Sequence, residues 1–293
     1  MSTHPLEIRD LEGKVALITG ASRGIGAAVA LRLARAGCRV AVAAKTVDAN
    51  PEMPGTIGET AAAVEALGSE ALAVRMDVRD AAQVQAGVDA TVARFGRLDI
   101  AIHNAGALWW KPIADTPVDR YDLVHGVNAR AAYALAYAAL PHLKAAGGGH
   151  FLTMSPPVMV DAIGGKTAYI LSKFGMTVVA LGLAAEHARD GIAGNALWPE
   201  TAIESAATRH FKFGTPAQWY KADLVADATY EVVRRDPRSR TGQALWVMEV
   251  MREAGVTDFT PYRCVAESEP PPINAMRMPR AGGRETAGGK VVE

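Results

Sequence analysis

Short apolar runs alternate along the chain with longer stretches in which apolar residues return every three or four positions. A run that is apolar throughout suits a strand buried on both faces, and a 3.6-residue period suits a helix packed by one side. The alternation therefore predicts repeated βαβ units and a parallel sheet. "KVALIT", Lys14 to Thr19, is the first such run. Behind it Ile25, Val29 and Leu33 recur at i, i+4 and i+8 up to Gly37, a residue suited to the left-handed position that ends a helix. Further strands are predicted over residues 39–44, 71–76, 98–104, 149–154, 191–198 and 244–248. Seven strands with intervening helices make an α/β fold of the Rossmann type, a doubly wound, seven-stranded parallel sheet with helices on both faces.

Two regions break the rhythm. "KTVDANPEMPGTIGET", Lys45 to Thr60, carries two prolines and two glycines and makes a connection longer than the usual few residues. Beyond Pro261 the chain is rich in Pro, Gly and charge. Residues 1–262 thus read as one domain and residues 263–293 as a C-terminal arm or tail without a core of its own, in which Ile273, Met276 and Met278 are candidates for docking.

Composition narrows the function. Lys plus Arg and Asp plus Glu both number 31, so the formal charge is zero and no global field attracts nucleic acid or an anionic membrane. "RRDPRSR", Arg234 to Arg240, lacks interleaved aromatics and reads as a solvated turn. The two cysteines, Cys38 and Cys264, lie far apart and read as reduced packing residues, and the seven histidines show no metal-ligand spacing, so no metal site is expected. The acidic N-terminus has no apolar core of a signal peptide, and no run approaches the roughly 18 apolar residues of a membrane span. The expectation is a cytoplasmic protein without nucleic-acid or membrane partners.

Candidate chemistry begins at "TGASRGIG", Thr19 to Gly26, where the first strand meets the first helix. Glycines there let the backbone turn tightly and approach a pyrophosphate, whose charge meets the positive end of the helix dipole. Gly20, Ser22, Arg23, Gly24, Ile25 and Gly26 are the candidate phosphate contacts. The second strand ends "AVAAKT": no acid occupies the slot that would bind an adenosine ribose, Lys45 follows directly and Arg23 lies in the glycine loop. These cations favour NADP(H) over NAD(H).

In "TAYILSKFGM", Thr167 to Met176, Tyr169 and Lys173 stand four residues apart on an otherwise apolar helix. Residues i and i+4 share a face, so phenol and ammonium point the same way. Taken alone, the pair is more often a packed tyrosine and a snorkelling surface lysine.

Together these segments resemble the short-chain dehydrogenase/reductase family over roughly Leu11 to Tyr262. The T-G-x-x-x-G-x-G of that family appears as Thr19 to Gly26, its N-N-A-G as "HNAG" (His103 to Gly106, with His for the first Asn), and its Asn, Ser and Y-x-x-x-K as Asn128, Ser155, Tyr169 and Lys173. The resemblance implies that these last four are catalytic. It also implies that Asp77 and Val78, Asn104, Ala105 and Gly106, Tyr169 and Lys173, and Pro199 and Thr201 contact the cofactor. Lys173 would hold the nicotinamide ribose and Asn128 a water that relays protons. The family's P-G after the sixth strand is Pro199-Glu200 here, which puts the path of the Thr201 loop in question. The family commonly forms tetramers through helices equivalent to Val118–Leu140 and Ala168–Ala188, so a homotetramer or homodimer is expected.

An ordinary tyrosine has a pKa near 10. An ammonium one turn away favours phenolate and is expected to lower that value, making Tyr169 the acid/base, while Ser155 stabilises charge on the reacting oxygen. Trp109, Ser155, Pro157, Met159, Tyr169 and Trp198 are the candidate substrate contacts, and the aromatic-rich segment His210 to Tyr220 falls where the family has a mobile lid. The expected activity is interconversion of a hydrophobic ketone or aldehyde with its alcohol. The alternatives are an NAD(H)-dependent dehydrogenase of terpenoid or steroid-like alcohols and a cofactor-binding regulatory protein without turnover.

Overall fold

The computed structural model describes residues 10–158, 163–210 and 212–273. Its main sheet contains β1 (Val15–Thr19), β2 (Arg39–Ala44), β3 (Ala71–Arg75), β4 (Ile100–His103), β5 (Gly149–Met154), β6 (Ile192–Trp198) and β9 (Gln243–Trp246). All run parallel in the order β3-β2-β1-β4-β5-β6-β9. Two short strands, β7 (Ala202–Ile203) and β8 (Trp219–Tyr220), pair outside it.

Alternation along β1 builds both layers of core. Ala16 and Ile18 face one cluster, which takes in α1 (Gly24–Arg35), α2 (Ile57–Ala66), α8 (Ala222–Val233) and α9 (Val247–Glu253). Val15 and Leu17 face the other, with α3 (Ala81–Phe95), α5 (Ala131–Ala145) and α6 (Thr167–His187). Each fully buried aliphatic side chain contributes about 2 kcal/mol through removal from water, so a sheet covered on both faces is well supported. The strand order reverses between β1 and β4, which opens a crevice beyond their carboxyl ends.

α4 (Val118–His125) runs into α5 through a π-helical turn, Gly126–Arg130. Such turns insert one residue and redirect a side chain, here that of Asn128. α7 (Ala206–His210) is a short helix beyond β7.

Two expectations need correction. The last strand stops at Trp246 rather than Met248, because Glu200 accepts from the Met248 amide at 3.0 and 3.1 Å and so caps a helix already begun at Val247. The residue that departs from the family pattern thus anchors its loop to α9. Second, the helical stretch Thr167–Asp190 is long and apolar enough to cross a membrane by length and composition. In the fold it lies on β5 and β6, burying Lys173 and Ser172 on its inner face and leaving Leu171, Phe174 and Val178 exposed on its outer one.

The arm does not stand apart over its described length. Arg263 bridges Tyr220 and Cys264 N donates to Trp219 O, while Pro272 bridges Thr201 and Ile273 N donates to Glu200 O at 2.6 Å. Ile273 packs against a satellite cluster of Ala202, Phe213 and Trp219. Met276 and Met278 lie outside the described residues.

Candidate active site

β1 delivers the chain to a turn in which Gly20 and Gly24 adopt φ of +66° and +56°. Crowding excludes side chains here: a Cβ on Gly26 would lie 2.4 Å from Gly20 O and 2.5 Å from Asn104 Nδ2. α1 then opens with no side-chain cap and no acid in its first turn, leaving its initial amides for an anion. Ser22 is buried within the turn, and Ile25 packs at the rim of the core.

Arg23 is partly committed elsewhere. Its Nε and Nη2 donate to Pro54 O and Gly55 O at 2.9 and 2.8 Å, tying the long connection after β2 back onto the glycine turn. Gly55 permits this contact, because at φ +106° its absent Cβ would meet Ser22 O at 2.5 Å. Lys45 is exposed at the end of β2 and has no ion pair among the described residues. Asp77 accepts a two-pronged contact from Arg79, whose hydrogen bonds hold the carboxylate down to about pKa 2. Val78 beside it is buried.

A fully buried relay joins the ends of β1 and β4, which are in register at Thr19 and His103. The carbonyl of Val127 accepts from His103 Nε2 at 3.1 Å, so Nδ1 is the lone-pair nitrogen and accepts from the Thr19 hydroxyl at 3.0 Å. Burial pushes this imidazole down to about pKa 3 and keeps it neutral. Thr19 Oγ1 in turn accepts the amides of Asn104 and Ala105, both at 3.2 Å. Asn104 Nδ2 donates to the carbonyls of Thr19 and Gly20. The "HNAG" segment is thereby locked to the glycine turn.

Gly106 carries this loop across the crevice. A Cβ there would stand 3.2 Å from Lys173 Nζ and 3.6 Å from Asn128 Oδ1, so cofactor loop, lysine and asparagine converge. Asn128 is fully buried and its amide braces the loop: Oδ1 accepts from Ala107 N at 2.8 Å, and Nδ2 donates to Ala107 O and Ser172 Oγ. Ser172 Oγ donates to Tyr169 O, which links the brace to the first turn of α6.

Lys173 Nζ donates to Met154 O at 3.0 Å, and burial brings the ammonium down to about pKa 8. Burial also raises the Tyr169 phenol above its ordinary value. The expected lowering of that phenol by its lysine is therefore not what the site shows. The ammonium is directed to a carbonyl, and removal from water disfavours charge on both groups. Tyr169 is a protonated phenol at neutral pH, and its hydroxyl takes no hydrogen-bond partner among the described residues.

Ser155, buried at the end of β5, shares a 2.8 Å hydrogen bond with Thr177 Oγ1. Thr177 also accepts from Trp198 Nε1 at 3.1 Å, so that tryptophan supports the serine from behind and stacks edge-on against Trp246. Thr177 went unnoticed in the sequence, yet the signal was there: Tyr169, Lys173 and Thr177 form an i, i+4, i+8 polar stripe.

Of the paired tryptophans, Trp110 faces the Tyr169 phenol. Its ring lies edge-on to Tyr169 with centroids 5.9 Å apart and edge-on to Phe213 at 4.7 Å. Trp109 turns away, donating to Thr116 Oγ1 and lying beneath Arg120. Pro157 is buried beside the serine; Pro199 is partly buried and Thr201 is buried at its bridge to Pro272. Met159 and Phe211 fall outside the described residues.

A doubly wound sheet with a glycine cradle at its switch point and a Ser, Tyr and Lys set beside it defines an oxidoreductase of the dehydrogenase class. The short chain dehydrogenase family model matches residues 14–211, and the chain belongs to the short-chain dehydrogenase/reductase family. It is similar to hydroxysteroid dehydrogenase-like protein 2 of Danio rerio, with 41% identity over 255 residues. That alignment covers 86% of this chain and 61% of the relative, so the chain spans less than two thirds of that protein's length. A short chain dehydrogenase of Mycobacterium thermoresistibile is 39% identical at TM-score 0.84, covering 93% of this chain and 98% of that one. A metagenomic short-chain oxidoreductase solved with NADP is 26% identical at TM-score 0.69, covering 81% and 98%. A short chain dehydrogenase of Mycobacterium paratuberculosis bound to NAD shares the fold at TM-score 0.70 and 24% identity, covering 81% and 97%.

Proposed function

We propose that this protein is an NADP(H)-dependent oxidoreductase that interconverts a hydrophobic ketone or aldehyde with its alcohol. The observation that carries this reading is the convergence at Gly106. The backbone of the cofactor loop, the Lys173 ammonium and the Asn128 amide meet at this glycine, where a Cβ would stand 3.2 Å from Lys173 Nζ, one helical turn from the free Tyr169 hydroxyl.

The residues present suit a nicotinamide dinucleotide. Gly20, Gly24 and Gly26 leave a cradle at the uncapped start of α1, and Asn104 to Gly106 line its far side. When bound, the dinucleotide supplies or takes up the hydride. In reduction Tyr169 donates its proton to the carbonyl oxygen, as a neutral phenol is placed to do, and in oxidation it receives the proton back. Ser155 donates a hydrogen bond to the same oxygen, oriented by Thr177 and Trp198. Lys173 holds the ribose and keeps the local field positive. Lys45, free of ion pairs among the described residues, supports the preference for the 2′-phosphate, with Arg23 holding the adjoining loop in place.

Tyr169→Phe should lower kcat by roughly 10²–10⁴-fold with cofactor affinity retained. Unchanged turnover would defeat the mechanism. Comparing kcat/KM for NADPH and NADH tests the cofactor preference, and a higher value for NADH would reverse it.

Self-association belongs to the same proposal. Tyr133 and Tyr137 on α5 and Leu171, Phe174 and Val178 on α6 are all at least 45% exposed, a run of large apolar side chains suited to a second copy of the chain. Light scattering tests it, and a monomer would refute it.

A further inference from the structure

The wall beside Tyr169 is aromatic but not wholly apolar. Lys166 stands immediately before α6, three residues from the reactive tyrosine, and its ammonium lies 4.8 Å from the Trp110 ring centroid. The residue is half-buried and has no anionic partner among the described residues. Burial lowers its pKa below the usual lysine value, the direction expected of a cation whose water is partly removed and not replaced by an anion.

A second observation falls on the same indole. Trp110 Nε1 is closed off from water and has no hydrogen-bond partner among the described residues. Buried indole N–H groups ordinarily find an acceptor, and one left without a partner loses the energy of that bond. The ring meets both Tyr169 and Phe213 edge-on, so the donor belongs to the same wall as the phenol. The start of α6 adds a third contribution of the same sign. This 21-residue helix has no side-chain cap and no acid in its first turn, so its free amides and dipole also favour negative charge. The Trp110 ring face already meets the ammonium, but a purely hydrocarbon substrate would leave that cation without an anion and the indole donor and the helix end without a counterpart.

We propose that Lys166 and Trp110 form an acceptor-binding subsite, and that the substrate is an oxo or hydroxy acid whose carboxylate is read there while its apolar body lies on the aromatic wall. This inference rests on the reading of Tyr169 as the reacting group and deepens it by naming the substrate class. The phenol addresses the carbonyl or alcohol, and the lysine addresses a carboxylate a short chain away. Lys166 acts by charge, and Trp110 by direction.

The test uses the intact chain with saturating cofactor and two matched carbonyls, 3-oxooctanoate and 2-octanone, together with octanoate as an unreactive probe followed by calorimetry. The wild type should favour the oxo acid over the ketone in kcat/KM by at least tenfold. Lys166→Gln should shrink that preference about tenfold, Lys166→Arg should restore most of it, and Trp110→Phe, which keeps the ring but removes the donor, should shrink it several-fold. Octanoate should bind, and more weakly to Lys166→Gln. Equal loss on both carbonyls in Lys166→Gln would overturn the subsite, as would octanoate binding that is indifferent to the substitution. The calorimetric arm separates this proposal from the previous one. Lysine-dependent octanoate binding without turnover supports the subsite while the oxidoreductase reading fails. Ketone turnover without octanoate binding sinks the subsite alone.

Discussion

The glycine-turn half of the crevice and the aromatic half are built in opposite ways. Around Gly20 to Gly26 and Asn104 to Gly106 the working groups are backbone amides and carbonyls, held by Thr19, His103 and Asn104 through direct hydrogen bonds. Around Trp110 the working groups are side chains from widely separated segments: Trp110 after β4, Phe213 and Trp219 beyond α7, and Cys264 and Ile273 from the arm. Backbone geometry is dictated by local chemistry and tolerates little change. Aromatic packing adapts, so the second half is where substrate choice can vary while the first stays constant.

The sharpest way to break this contrast is Gly26→Val. Its Cβ would need to displace a carbonyl lying at 2.4 Å, and overpacking of this kind costs about 3 kcal/mol, so cofactor affinity should fall roughly a hundredfold when measured by fluorescence titration. A small change would mean that the glycine turn is less rigid than the contacts imply.

The pH dependence comes next. Lys173 titrates at about 8, below its ordinary value, so the ammonium is present below that pH and lost above it. Reduction should therefore decline through pH 8 by about tenfold per unit at its steepest. A profile flat to pH 10 would show that the lysine charge plays no part.

Trp110→Ala, in the adaptable half, should raise KM for an apolar carbonyl about tenfold while leaving cofactor Kd in place. Equal effects on both constants would dissolve the division between the halves. The smallest effect is expected at Glu200→Ala, which removes the carboxylate cap of α9. A loss of about 1 kcal/mol should appear as a drop of a few degrees in Tm.

The α6 stripe shows how much of the site was legible beforehand. Tyr169 and Lys173 stood out because a phenol and an ammonium at helical spacing interrupt an apolar pattern, and Thr177 continues that stripe. What spacing did not reveal was that Lys173 reaches the Met154 carbonyl at the end of β5, and that burial outweighs the charge pairing expected on the helix itself. Arg23 gives the same lesson. Its place in the glycine turn suggested a phosphate contact, whereas its guanidinium ties down a loop some thirty residues away in the chain. Glu200 looked like a defect in a turn and proves to be a helix cap supplied from the loop after β6.

Sequence alone determined the alternating strands and helices, the glycine turn and the alignment of the polar stripe on α6. All three depend on short-range periodicity and backbone sterics, which a linear chain carries in full. Only the tertiary structure decided which groups lie in water and which do not: the neutral His103, the protonated Tyr169, the choice of Trp110 over Trp109 and the docking of Ile273. Each follows from contacts between segments distant in the chain, and desolvation is a property of the packed interior rather than of any one segment.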